Sequence, residues 1–119
     1  MNRIRAKQDF REPVGFTAPV SPYAVGQIIE HKLLGFRGVI FDIDPVFMLS
    51  DEWYERTAPS RPSQDQPWYH VLVHNGVQSA YVAQQNLSEA SCNEQINHPA
   101  LGEYFTSFDG QQYATYENL

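Results

Sequence analysis

Apolar and polar residues alternate along much of this chain, and the pattern marks strands rather than helices. Residues 23–44 (YAVGQIIEHKLLGFRGVIFDID) predict two strands around a short connection. In the first, Val25, Gln27, Ile29 and His31 share a face. In the second, Val39, Phe41 and Ile43 form one face, while Ile40, Asp42 and Asp44 form the other, which the two carboxylates make a wet face. Leu33-Leu34-Gly35-Phe36 joins the strands, and Gly35 and Gly38 bracket the connection as places for a positive φ or a bulge. Pro45 ends the second strand, because proline cannot donate to a ladder. The clearest hairpin covers residues 67–85. PWYHVLVH runs into Asn75-Gly76, a pair suited to a tight turn, and VQSAYVAQQ returns. Tyr69, Val71 and Val73 alternate with Trp68, His70, Leu72 and His74. A last hairpin is expected over residues 102–119, turning at Asp109-Gly110 and weighted by Tyr104, Phe105, Phe108, Tyr113 and Tyr116.

Between these lie segments without a clear period. Residues 46–66 form a long connection of the kind that is often functional. Ser50 is placed to cap one helical turn at Asp51-Glu52-Trp53-Tyr54. Trp53 is either a lid over the core or an exposed contact, the lid being favoured. Asn86-Leu87-Ser88 reads as a turn and residues 89–101 as a polar stretch with a breaker at His98-Pro99. Residues 1–22 hold four basic residues and Pro13, Pro19 and Pro22, and read as an arm, flexible or loosely docked, before a single domain over residues 23–119. Short strands, strong turn signals and no long helical period predict a mainly all-β fold: a small, strongly bent antiparallel sheet or partly open barrel, with at most short helical turns.

Charge sharpens this picture. All eight Lys and Arg residues lie in residues 1–61, balanced there by eight acids. The net charge of −6 therefore belongs to residues 62–119, which hold Asp65, Glu89, Glu94, Glu103, Asp109 and Glu117 and no cation. A broad basic face for duplex DNA is excluded from the second half, and so is a polybasic membrane patch. Any phosphate contact is confined to Arg3, Arg5, Lys7 and Arg11 of the arm and to Lys32 and Arg37 of the first hairpin. No apolar run approaches a membrane span. The single cysteine, Cys92, allows no internal disulfide and points to a reducing, cytoplasmic setting.

Candidate chemistry is sparse. His70 and His74, four apart in a strand, stand about 13 Å from each other and cannot share an ion by themselves. Asp42 and Asp44 are about 6.6 Å apart by rise, a glycosidase-like spacing, but without a deep site; hydrogen bonding at the edge of the Pro45 loop is the better reading. Cys92 sits beside Glu89 and Glu94, which suppress thiol reactivity. No nucleophile elbow, phosphate loop or dinucleotide fingerprint occurs. The expectation is a non-enzyme without cofactor or metal.

The ordered blocks AVGQIIEHKLLGFRGVIFDID, PWYHVLVHNG, YVAQQNL and HPALGEYFTSFDGQQY resemble the heat-shock protein HspQ, or YccV-like, family over roughly residues 23–116. Gly26, His31, Gly35, Gly38, Asp42, Asp44, Pro45, Trp68, Tyr69 and His70 carry the likeness, with Tyr81 and Leu87. One departure is Gln84, where the family usually has Glu. The resemblance implies an SH3-like β-barrel in a small cytoplasmic stress protein that self-associates as a homo-oligomer, trimer or dimer. It implies a Lon-type protease and its clients as partners, a link to turnover of the replication initiator DnaA, and binding of hemimethylated DNA. It also implies that the domain occurs fused to other modules in eukaryotic proteins, and it brings no catalytic residues. On this reading a protease adaptor would use Phe47, Trp53 and Tyr54 as protein contacts. A DNA-binding module would use the six basic residues named above. A chaperone-like role in stress is a third option.

Overall fold

The computed structural model describes residues 21–116. Their order is β1 (Ile28–His31), β2 (Arg37–Asp44), α1 (Asp51–Thr57), β3 (Trp68–Val73), β4 (Ser79–Ala83), a 3-10 turn (Gln84–Asn86), β5 (Leu87–Glu89), α2 (Leu101–Tyr104), β6 (Phe105–Phe108) and β7 (Tyr113–Thr115). The first five strands form one antiparallel sheet in the order β4-β3-β2-β1-β5, and β6 and β7 form a separate hairpin. The fold is mostly β, as the alternation predicts. It is a strongly bent sheet rather than a closed barrel, since β4 and β5 are its two edges. Among the described residues no helix is long and apolar enough to cross a membrane. The arm falls almost wholly outside the described residues. Ser21, near its end, already joins the sheet through a 2.7 Å hydrogen bond between its Oγ and the Tyr69 hydroxyl.

The sheet is buried on both faces. One face packs Ile29, Ile40, Tyr69, Val71, Val82 and Leu87 inside the bend. The other packs Ile28, Val39 and Leu72 against Ile96, Phe105 and Tyr113 of the C-terminal segment. Every residue of β3 is therefore buried. Each large side chain taken fully from water, such as Trp68 or Ile29, stabilises the fold by about 2–3 kcal/mol. Gly26 welds the second layer on: its amide donates to Ile40 O at 2.7 Å and its carbonyl accepts from Tyr113 N at 2.8 Å.

Four sequence expectations need correction. The alternation in β2 changes phase at a register shift between Ile40 and Asp42. Ile40 lies across from Val71 and Asp42 across from His70, so Phe41 is the extra residue of a bulge. Asp42 and Asp44 consequently share a face with Val39, and Ile43 turns to the face of Ile40. The carboxylate face is not a wet one, because Asp44 is fully buried. Next, Leu87-Ser88-Glu89 is a strand paired with β1 rather than a turn, and the 3-10 turn before it does the turning. The polar stretch after it is tied to the sheet: Ile96 and His98 are buried, Ile96 N donates to the Tyr113 hydroxyl and Asn75 N to Asn97 O. Finally, the Asn75-Gly76 hairpin is not a two-residue turn. Val73 N bonds Gln78 O, leaving residues 74–77 as the loop, with Asn75 in the left-handed region at φ 63°.

Other local readings hold. β2 stops at Asp44, before Pro45. Gly35 has φ 78° and Gly110, after Asp109, φ 101°. Gly38 serves close approach instead of a turn, since a Cβ there would strike Val71 and the Leu72 backbone.

Candidate functional site

The long connection after β2 is built around aromatic rings. Ser50 caps α1, its Oγ accepting from Trp53 N at 3.1 Å, and Asp51 and Glu52 suit the positive end of the helix. The helix runs seven residues, longer than the single turn expected. Tyr54 is buried and donates its hydroxyl to Pro62 O at 2.6 Å. Trp68 Nε1 donates to Ser63 O at 2.9 Å. Phe47 lies among Trp53, Tyr54, Trp68 and Tyr81, with ring centroids 4.9 to 6.0 Å away. Trp53 thus forms part of a cover over Trp68. Of the three residues named as protein contacts, Tyr54 is enclosed and Phe47 and Trp53 are half-buried.

Across from α1 stands the β1–β2 turn. His31 Nδ1 accepts from Leu33 N at 3.1 Å and Leu34 N at 3.0 Å, which holds the turn and pushes both leucines outward. They are 66% and 73% exposed. Burial lowers the His31 pKa below its ordinary 6.5, in keeping with a neutral acceptor nitrogen. Between this turn, α1 and the β3–β4 face runs an open groove of about 640 Å³, lined by Phe36, Phe41, Trp53, His70, Tyr81 and Tyr104 among others. A smaller apolar cleft of about 150 Å³ adjoins it, under Leu33, Leu34, Pro59 and Pro62. His31, Leu34, Trp53, Thr57, Tyr81 and Val82 line both.

Beside the groove is a buried polar network. Asp44 Oδ2 accepts from the Tyr81 hydroxyl at 2.8 Å and pairs with His70 Nε2 at 3.0 Å. Asp42 Oδ1 accepts from Ile43 N at 2.8 Å. Hydrogen bonding is thus what these carboxylates do, at the Pro45 edge as the sequence suggested. Ligand atoms of Asp42, Asp44 and His70 lie within 4.8 Å of one another, a set with metal-ligand chemistry that pairing His70 with His74 overlooks. An ion there would have to replace the His70–Asp44 hydrogen bond. His98 and His74 are satisfied elsewhere: His98 Nε2 meets Gln78 O, and His74 Nδ1 accepts from Asn97 N.

The basic residues are dispersed. Arg3, Arg5, Lys7 and Arg11 lie outside the described residues. Arg37 donates to Glu94 O at 2.9 Å and Cys92 O at 3.3 Å, staple-like, between β2 and the C-terminal segment. Lys32 is exposed on the β1–β2 turn. Arg61 pairs with Glu55 at 2.6 Å over the Tyr54 ring.

A family model described as hemimethylated DNA-binding protein YccV like matches residues 21–112. The chain belongs to the YccV-like family. Among curated proteins it is similar to F-box only protein 21 of Homo sapiens and of Pongo abelii, each 39% identical over 93 residues, and of Mus musculus, 38% identical over 93 residues. Each match takes in 76% of this chain and 15% of the relative, so the chain corresponds to a small part of those proteins. Most residues that carried the family likeness have structural work: Gly26 at the layer junction, His31 at the turn, Trp68, Tyr69 and Leu87 in the cores, and Asp44, His70 and Tyr81 in the network. Gln84, the departure, has its Oε1 buried without a hydrogen-bond partner.

The exposed leucines and the groove are what sequence reasoning missed. Leu33 and Leu34 read as a connection, although two adjacent leucines in a turn are themselves a signal, since turns are normally polar.

Proposed function

We propose that this YccV-like protein is a non-enzymatic cytoplasmic stress protein that binds protein segments in the groove between α1 and the β1–β2 turn, as an adaptor for Lon-type proteolysis. The observation that carries the reading is an open, aromatic-lined groove with the exposed Leu34 on its wall and the exposed Leu33 over the adjoining cleft. Concavities that combine aromatic side chains with a few polar groups are common binding surfaces on folded domains. The charge supports it too. The described residues hold Lys32, Arg37, Arg56 and Arg61 against eleven acids, a poor match to a polyanion. A homo-oligomer would multiply the grooves and raise avidity. The test is the initial rate at which a Lon-type protease digests the replication initiator DnaA, with and without this protein. An unchanged rate, with the protease active on a control substrate, removes the adaptor reading.

The family description supports a second reading, binding of hemimethylated DNA. It would use Arg3, Arg5, Lys7, Arg11, Lys32 and Arg37, and six phosphate contacts give a slope of log affinity against log salt of about −5. Anisotropy on a hemimethylated duplex across a salt series measures this. A flat salt dependence, or equal affinity after all six are replaced by Ala, counts against it.

A further inference from the structure

Two histidines join the β3–β4 loop to the segment between β5 and β6 in a reciprocal way. His74, on the loop, accepts at Nδ1 from Asn97 N at 2.9 Å. His98, on the segment, accepts at Nδ1 from Ala100 N at 3.0 Å, and its Nε2 lies 2.9 Å from Gln78 O on the loop. A carbonyl oxygen only accepts, so His98 Nε2 carries the hydrogen and Nδ1 a lone pair. Both rings are therefore seated as neutral imidazoles. A proton added at either Nδ1 turns an acceptor into a donor pointed at an N–H, and the bond is lost. Burial and the Arg37 guanidinium push the His74 pKa below its ordinary 6.5, against a weaker pull from Glu94. The loop itself, residues 74–78, holds no other titratable group, and α2, the next element after His98, adds Glu103 and Tyr104. The segment so held is a cover. Ile96, just before Asn97, packs with Ile28, Val39 and Leu72 of the sheet, and its amide donates to the Tyr113 hydroxyl at 2.8 Å. Two bonds that do not titrate join the same stretches: Asn75 N to Asn97 O at 2.8 Å and Asn97 Nδ2 to Asn75 Oδ1 at 3.0 Å. The rings thus tune the cover rather than hold it alone.

We propose that His74 and His98 form a proton-sensitive latch: as neutral rings they close residues 90–104 over the face of the sheet that holds Ile28, Val39 and Leu72, and on protonation in mild acid they let that cover lift. This is a property of the fold that does not depend on what the groove binds. Its sign follows from the bonds. The latch is closed above about pH 6.5, the ordinary histidine value, and weakens as the pH falls below it. At pH 5.5, a ring kept neutral by the closed latch and free to protonate in the open one raises the opening constant by up to about tenfold, and two such rings by up to about a hundredfold.

The experiment is amide hydrogen exchange on the full chain at pH 7.5 and pH 5.5, read as protection factors so that the intrinsic pH dependence of exchange drops out. Protection at Ile96, Asn97 and Ala100 should fall at least about tenfold between the two. Anilinonaphthalene sulfonate should fluoresce more strongly at the lower pH, while far-UV circular dichroism keeps its β signal. The double variant His74→Gln with His98→Gln supplies a latch that does not titrate, because a carboxamide offers both an acceptor oxygen and a donor nitrogen. Its protection at the three amides should change less than about threefold, with no gain in dye fluorescence. If the double variant does not fold, His74→Gln alone decides, since His74 is only half-buried. Its Asn97 amide should then lose at least about threefold less protection than the parent's. His31→Gln, at the distant β1–β2 turn, should respond like the parent. Unchanged protection in the parent, an equal loss in parent and Gln variants, or a response abolished by His31→Gln overturns the proposal. Loss of the β signal at pH 5.5 also overturns it, by assigning the effect to unfolding of the whole domain.

Discussion

Replacing Gly26 by alanine tests how the C-terminal layer is fixed to the sheet. Gly26 has φ 93°, in the left-handed half of the map where an L side chain costs about 1–2 kcal/mol. An added Cβ would also lie well under 3.0 Å from the carbonyl oxygen of Tyr113, a backbone atom that cannot swing aside. Relief requires the Tyr113 strand to move away. That stretches the 2.8 Å bond from Tyr113 N to Gly26 O, which contributes about 1 kcal/mol. It also disturbs the packing of Tyr113 on Phe105 and Phe108, where overpacking costs about 1–3 kcal/mol. The sum is roughly 4 kcal/mol. Gly35→Ala is the matched control: φ is 78°, but nothing lies within 4 Å of an added Cβ. It should cost only the conformational part, about 1–2 kcal/mol. At about 4–8 °C of melting temperature per kcal/mol for a small domain, Gly26→Ala should melt at least about 8 °C below Gly35→Ala. Thermal melts by circular dichroism read the difference. Amide exchange at Tyr113 should accelerate in the first variant alone. Equal melting temperatures would refute the reasoning, because the steric part would then be absent.

Asp44→Ala strips the acceptor from buried His70 Nε2 and from the half-buried Tyr81 hydroxyl, and should cost about 3 kcal/mol, seen as a lower urea midpoint at unchanged slope. Ser50→Ala removes the cap of α1 and should cost about 1 kcal/mol in the same measurement, with no change in the β-sheet signal. The depressed His31 pKa has a definite sign: the unfolded chain takes up a proton that the folded one resists. The stability it contributes is complete above about pH 6.5 and is lost as the pH falls below that through the folded value. Melts between pH 7.5 and 5 should therefore be less pH-dependent in His31→Gln, and an unchanged slope would count against a neutral His31.

Much of the secondary structure was legible because its causes are local. Ser50 caps, Pro45 stops, Gly35 and Gly110 take positive φ, and Asp109 accepts from Gln111 N and Gln112 N to make its own turn. The alternation in β3 also survived, because an antiparallel strand without a bulge keeps its two faces. β5 was not legible: three residues are too few to show a period, and Leu87-Ser88-Glu89 becomes a strand only because β1 offers an edge. Of the groove, Trp53 could be suspected from its place in the long connection. Leu33 and Leu34 could not be paired with it, since α1 and the β1–β2 turn approach each other only in the folded chain.

The chain's alternation, turns and uneven charge determined by themselves a mainly β domain with strands buried on a bent sheet and few cations to offer a polyanion. The bulge at Phe41 was beyond them, because a bulge is a relation between two strands and leaves no mark on one. That single extra residue decides where Asp42 and Asp44 point. It turns Asp44 from a wet face into a buried partner of His70 and Tyr81, two residues that line the aromatic groove. Register alone decides that, and register is fixed by packing between strands distant in sequence.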